Sequence, residues 1–281
     1  MEVGGKTLTA IFSDLAEQSN GSVMIKYGNT VVLATAVMSP ETKDGLDYFP
    51  LIVDSEERFY AGGRILGSRF VRREGKPSDE AILSGRVVDR TIRPLFEKHI
   101  RNEVQVVITI LSLDEYDPDV LGVVGASLAL GMSDIPWEGP VSAVRIGRQN
   151  DKNEFEINPN YNFRNDKSYN LDLVACGKDG DINMIEVGAS EAKEEIVAEA
   201  LVKASEEIEK IQEFQKKIIA EIGKQKKVVE KPQIPAGLEE IFKEKIESKL
   251  LTYIFSQPNE GNIDELKKEW PCTFDVSGSI G

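Results

Sequence analysis

Residues 67–96 read GSRFVRREGKPSDEAILSGRVVDRTIRPLF, and the rest of the chain is organised around this stretch. Gly62, Gly63, Gly67 and Gly75 free a loop backbone to approach a partner closely, while Arg64, Arg69, Arg72, Arg73 and Lys76 place positive charge on it. Ser78 is suited to cap the helix that follows, with Pro77 just outside and Asp79 and Glu80 in a first turn whose dipole favours negative charge. The pattern predicts a helix from there to about Pro94. At 3.6 residues per turn Arg86, Arg90 and Arg93 share one face, with Ala81, Gly85, Val88 and Ile92 roughly opposite. One face packs and the other offers guanidinium groups.

Like charges at this spacing repel by a few tenths of a kcal/mol per pair, so three arginines on one face need a reason. One reason is internal pairing with Asp89, Glu74, Asp79 and Glu80. The other is phosphate: guanidinium forks match phosphate oxygens, and Phe70 beside the Arg72-Arg73 pair suits stacking on an unpaired base.

The chain of 281 residues is 41% apolar, enough for one large or two ordinary domains. Its net charge of −14 argues against a diffuse basic coat for nucleic acid. The distribution says more: residues 58–101 carry 11 Lys and Arg against 5 Asp and Glu, a local +6 that leaves −20 elsewhere. Cys176 and Cys272 lie far apart, and His99 is the single histidine, so neither a zinc site nor a disulfide framework is expected. Cys176, in an apolar run, reads as a buried thiol. With no membrane-length apolar run and no signal-peptide pattern, a cytoplasmic protein is expected.

Working outward, residues 3–12 and 22–38 read as strands, the latter turned at Gly28-Asn29 into a hairpin. Residues 48–54 supply another strand. Residues 103–114, EVQVVITILSLD, are almost continuously apolar, as expected of a mid-sheet strand buried on both faces. Asp117-Pro118 opens a Gly- and Ala-rich core helix over 120–132, whose GVVG does not match a dinucleotide fingerprint. Strands are expected at 141–147, 154–158, 171–176 and 182–187, with a surface loop over 159–169. From Ser190, Val197, Leu201, Ala204, Ile208, Ile211, Ile218 and Ile222 repeat at helical spacing. After a break at 231–237, helices are expected at 238–255 and 263–270. The domains so read are 1–190 (α/β), 191–270 (all-α) and 271–281, the start of a continuation.

The segments GSVMIKYGNTVVLATAV (21–37), DYFPLIVDSEERFYAGGRI (47–65), RREGKPSDEAILSGRVVDRTIRPLF (72–96), NEVQV (102–106) and GASLAL (125–130) together resemble the first RNase PH-type domain of the polynucleotide phosphorylase family. The resemblance covers about residues 1–190, and the helical region after it takes the place of that family's all-α linker. It implies an α+β fold of the ribosomal S5 domain 2-like βαβ kind, assembled into a ring-shaped homotrimer with single-stranded RNA in a central channel. It further implies a cytoplasmic enzyme of mRNA degradation that uses inorganic phosphate as co-substrate, removes nucleoside diphosphates from the 3′ end, and has protein partners of the degradosome type.

By the same resemblance Phe70, Arg72, Arg73 and Lys76 correspond to the loop that grips RNA at the constriction, and Arg86, Arg90 and Arg93 to the helix beside it. The family has two adjacent phenylalanines after Gly-Ser; this chain reads Ser68-Arg69-Phe70-Val71-Arg72-Arg73, one residue longer with one aromatic. The family's phosphate-binding serine loop and Mg2+-binding aspartates belong to a second RNase PH-type domain that these residues do not encode. No catalytic or metal residue is therefore assigned, and the chain is read as the RNA-guiding half of the enzyme. The alternative is a non-catalytic RNA-binding subunit of an exosome-like ring.

Overall fold

Six strands build the first sheet: β1 (Glu2–Val3), β2 (Lys6–Ile11), β3 (Gly21–Tyr27), β4 (Thr30–Thr42), β5 (Leu51–Glu56) and β6 (Asn102–Ser112). Their order across the sheet is β1-β2-β3-β4-β6-β5, antiparallel except for the parallel pair β5 and β6. A parallel pair needs a crossover, and helix α1 (Asp79–Ile92) supplies it, making the βαβ unit. The β3–β4 hairpin turns at Gly28, whose φ of 61° is left-handed and whose missing side chain leaves room for the Tyr116 ring.

The computed structural model describes residues 1–42, 45–65, 76–150, 154–231, 237–247, 249, 250 and 254. Contacts divide the chain into two units, Met1–Val229 and Glu230–Gly281. In the first, helix α2 (Pro118–Met132) is buried at every residue from Val120 to Met132 and packs on β3, β4 and α1. It can do so because Gly125 lets the helix meet Ala34 of β4 where a Cβ would come within 2.9 Å of that methyl. Asp117 caps it, its carboxylate accepting the Asp119 amide at 3.0 Å, with Pro118 in the first turn.

A second sheet, ordered β10-β9-β7-β8, comprises β7 (Ser142–Gln149), β8 (Glu156–Ile157), β9 (Tyr169–Lys178) and β10 (Asp181–Ala189). Its β7 strand packs against α2. Residues 159–169, read as a loop, contain a short helix α3 (Tyr161–Arg164), capped by Asn160, whose side-chain Oδ1 accepts the Phe163 amide. Strand β6 does lie mid-sheet, between β4 and β5, but is not buried on both faces. Val104, Val106, Ile108 and Ile110 enter the core, while on the other face Gln105 is exposed and Glu103, Val107 and Thr109 are half-buried.

The long amphipathic helix is α4 (Glu194–Ile222). Its buried stripe of Ala200, Ala204, Ile208 and Ile211 lies on β7 and β9, so the helix that begins the expected all-α region packs within the first unit. Two buried glutamines bind backbone left open by the sheet: Gln212 donates to the Pro140 carbonyl (2.6 Å) and Gln215 to that of Val141 (2.7 Å). An apolar stripe must bury itself somewhere, and the second sheet is the face it meets. The chain then returns over the C-terminal end of α2, where Lys226 Nζ donates to the carbonyls of Leu130, Gly131 and Ser133 at 2.7, 3.0 and 2.8 Å. Burial lowers the Lys226 pKa to about 8.

In the second unit the described residues of the expected helical stretch 238–255 are helical: α5 (Leu238–Phe242), a wider helical turn over Lys243–Glu247, and residues 249, 250 and 254; the others lie outside the described residues. The expected helix over 263–270 and the stretch 271–281 lie outside the described residues.

Candidate nucleic-acid interface

Helix α1 starts where its sequence says: Ser78 Oγ accepts the Ala81 amide at 3.0 Å, and Asp79 and Glu80 occupy the positive end of the dipole. Ala81, Gly85, Val87, Val88, Thr91 and Ile92 are buried against β5 and α2, so the opposite face is turned outward. Two of its three arginines are exposed there, Arg86 and Arg90, and neither pairs with another described residue.

Arg93 behaves differently. Its Nε and Nη2 donate to Asp89, and Nη1 and Nη2 also reach the carbonyls of Phe49 (3.3 Å) and Leu51 (3.1 Å). Every nitrogen of that guanidinium is engaged within the chain, so Arg93 ties the helix to the entry of β5. The internal-pairing reading thus holds for Arg93, and the open-guanidinium reading describes Arg86 and Arg90.

Lys76 is exposed at the mouth of a cleft of about 420 Å³ beneath the start of α1, lined also by Ser55, Arg58, Phe59 and Ser78. The cleft is electrically mixed: Arg58 pairs with Glu56 at 2.5 Å, and Ser78 Oγ donates to Glu57 at 2.6 Å. Phe70, Arg72 and Arg73 lie outside the described residues.

Sequence reasoning missed two features. Ile82 and Leu83, 50% and 55% exposed, lie on the outer face of α1 with Arg86 and Arg90; their helical spacing to those arginines was the available signal. The second is a charge cluster inside the fold. Arg145 of β7, 7% exposed, meets Asp172 at 2.7 Å, Asp117 at 3.0 Å and Asp119 at 3.5 Å. Arg164 of α3 meets Asp117 at 2.6 Å and Asp172 at 3.2 Å. Arg145, set between the apolar Val144 and Ile146, was its trace in the sequence.

Three carboxylates against two guanidiniums leave one negative charge in excess. Burial and then the neighbouring Asp117 push Asp119 up to about 6. Burial also works against ionised Asp117, but Arg145, the Asp119 amide and Arg164 together hold its carboxyl below the ordinary range. Since these aspartates already hold two arginines, they do not fit a divalent cation, and no other such group of acids, His or Cys occurs among the described residues. Cys176 is fully buried, its sulfur 3.9 Å from that of Met184, and burial pushes the thiol up to about 12. No helix among the described residues is long and apolar enough to cross a membrane.

Residues 5–136, which hold β2 to β6, α1 and α2, match the model of the 3′ exoribonuclease family, domain 1 (RNase PH). Polyribonucleotide nucleotidyltransferase of Heliobacterium modesticaldum is 45% identical over 270 residues, and that of Bacillus subtilis 44% over 275. Each alignment takes in 96% of this chain. The chain is a homologue of the N-terminal region of polyribonucleotide nucleotidyltransferase. It spans 36% and 38% of the length of these two curated relatives. Among solved structures, a chain of the Archaeoglobus fulgidus exosome with RNA bound to the active site superposes with a TM-score of 0.58 at 20% identity, covering 74% of this chain and 87% of that one. Rice Rrp46 gives 0.60 at 14%, covering 76% and 94%. These likenesses establish the α+β RNase PH-type fold that the sequence segments implied for this N-terminal region.

Proposed function

We propose that this chain is the RNA-guiding part of a phosphate-dependent 3′-to-5′ exoribonuclease. The observation that carries the reading is the outer face of α1, where Arg86 and Arg90 stand exposed, with Lys76 exposed just before the helix, in a chain of net charge −14. Guanidiniums held on a rigid helix offer forked donors to successive phosphates, and the acidic remainder repels a polyanion from other surfaces. Phe70, Arg72 and Arg73 precede this helix in sequence and add two guanidiniums and an aromatic ring able to stack on an unpaired base. Support comes from kinship with the nucleotidyltransferases and from the exosome fold, whose RNA-bound example is a multi-subunit assembly.

Assembly into a trimeric ring, in the cytoplasm and with further protein partners, belongs to the same proposal. Attack by inorganic phosphate, and the Mg2+ that assists it, are assigned to parts of the enzyme beyond the stretch this chain spans. Nothing in the buried aspartate cluster fits that metal, so no catalytic step is placed here.

The test is binding of a labelled single-stranded oligoribonucleotide to the 281-residue chain, followed by fluorescence anisotropy across a salt series. Arg86→Gln combined with Arg90→Gln should weaken binding and reduce the salt slope by roughly 0.7 for each phosphate that is no longer neutralised. Arg72→Ala with Arg73→Ala and Lys76→Ala should do the same. Unchanged affinity and slope in both sets rule the reading out.

A further inference from the structure

We propose that Asp119 is a positioning residue for the RNA-facing side of α1, acting through Ser84; the inference rests on the RNA reading above. The C-terminal half of α1 is tied down several times. Trp137 Nε1 donates to the Ile92 carbonyl (3.0 Å), Asn183 to that of Thr91 (3.1 Å), and Arg93 binds Asp89, Phe49 and Leu51. The N-terminal half, which leads into Arg86, is held more lightly. Gly85 brings only backbone against β5, since a Cβ there would lie 3.2 Å from the Val53 carbonyl oxygen, and Ile82 and Leu83 face outward. Apart from the cap at Ser78, the polar tie described for this half is Ser84 Oγ to Asp119 Oδ1, at 2.5 Å.

Ser84 is two residues from Arg86, which on a helix is about 200° of rotation. A bond at Ser84 therefore fixes how far this half of α1 is rolled about its axis, and with it the direction in which the adjoining Arg86 points. Asp119 is a firm anchor for this purpose. It sits in the first turn of α2, whose remaining length is core, and its carboxylate belongs to the cluster formed by Asp117, Arg145 of β7, Asp172 of β9, and Arg164 of α3. Tyr161 of α3 and Cys176 of β9 also feel its charge.

Within that cluster Asp119 receives the longest ion pair, 3.5 Å to Arg145, while Asp117 and Asp172 take the short ones. The excess negative charge is thus left on the carboxylate that Ser84 meets, which makes it a strong acceptor. The Ser84 hydroxyl has a second acceptor within reach, the Glu80 carbonyl at 2.9 Å, and a single proton to give. A neutral group in place of the carboxylate still accepts that proton, whereas a methyl group releases the hydroxyl to its own helix.

The experiment measures the affinity of the full chain for a labelled single-stranded oligoribonucleotide at fixed salt. Ser84→Ala and Asp119→Ala should each weaken binding about fivefold, and the double variant no further than the weaker single, because both remove one interaction. Asp119→Asn, which keeps an acceptor, should stay within about twofold of the parent. Amide exchange in residues 79–86 should speed up in Ser84→Ala while 120–132 stay unchanged, locating the effect in α1.

If Arg86→Gln with Arg90→Gln leaves affinity unchanged, the RNA reading falls and this inference with it. If that pair weakens binding while Ser84→Ala and Asp119→Ala bind like the parent, the reading stands and the positioning role is overturned. Additive losses, or failure of Asp119→Asn to restore binding, also overturn it. Should Asp119→Ala not fold, Ser84→Ala, which leaves every charge of the cluster in place, decides between these outcomes.

Discussion

Arg93 holds both carboxylate oxygens of Asp89 one turn back on the same helix, Nε to Oδ2 at 3.0 Å and Nη2 to Oδ1 at 2.6 Å. This fork separates three arginines that sequence spacing places together. Asp89 could have neutralised Arg86 equally well by position, but the carbonyls of Phe49 and Leu51 draw the Arg93 side chain toward β5 and bring the carboxylate with it.

Arg93→Gln should therefore lower stability by about 1 kcal/mol, a modest value because the Arg93 side chain is 41% exposed. Arg86→Gln and Arg90→Gln should leave stability within about 0.5 kcal/mol of the parent and act on RNA affinity instead. Urea denaturation beside RNA titration checks both. Greater loss of stability in Arg86→Gln than in Arg93→Gln would show that Arg86 carries structure.

The inner face of α1 makes a second expectation. Ile92 is completely buried and Val88 is 2% exposed, and the Ile92 carbonyl accepts from Trp137. Ile92→Ala should cost about 2–5 kcal/mol by opening a cavity that the packed surroundings cannot close. A loss below about 1 kcal/mol, measured by denaturation, would contradict burial on this side.

How much could be read in advance depends on the range over which each signal acts. Ser78 and Asp117 cap their helices within three residues, and the alternation along β3 and β4 is local, so α1, α2 and the first sheet were legible. In β6 the buried Val104, Val106, Ile108 and Ile110 alternate with Glu103, Gln105 and Thr109, so the half-open face was also legible, though the apolar content of the whole stretch hid it. The Arg145 cluster draws on β7, β9, α2 and α3, whose meeting no local pattern encodes. The same limit hid Arg93: its acid lies four residues away and is legible, whereas its two carbonyl partners belong to residues 49 and 51 and are not.

Asp119 gives a pH dependence whose sign can be worked out. Its ordinary value of 3.8 rises to about 6 in the fold, so the folded state binds this proton more tightly than the unfolded chain. The resulting stabilisation is complete below the ordinary value and is lost as pH rises through about 6. Asp119→Asn cannot ionise, so its stability relative to the parent should increase between about pH 4 and pH 7, by on the order of 2 kcal/mol, and then level off. Paired urea titrations across that range test this. A difference that stays flat would mean that Asp119 titrates as it does in the unfolded chain.

The last expectation concerns where the first unit ends. Ile208 and Ile211 of α4 are 1% exposed, and the Gln212 and Gln215 amides satisfy carbonyls at the start of β7. Removing α4 would bare the β7 and β9 face it covers and strand those carbonyls. The segment after it matters too: the Lys224 amide donates to Met132, the Lys227 amide to Asp134, and Lys226 to three carbonyls at the end of α2. At its end the Val229 carbonyl oxygen lies 3.0 Å from His99 Nε2. A chain ending at residue 229 should thus unfold in one cooperative transition, while one ending at 190 should lose cooperative unfolding and bind a hydrophobic dye. Gln215→Ala in the longer piece should cost about 1–3 kcal/mol, the penalty of leaving a buried carbonyl without its donor. Cooperative unfolding of the shorter piece would show that the second sheet is stable without α4, and that the helix belongs with the residues C-terminal to it.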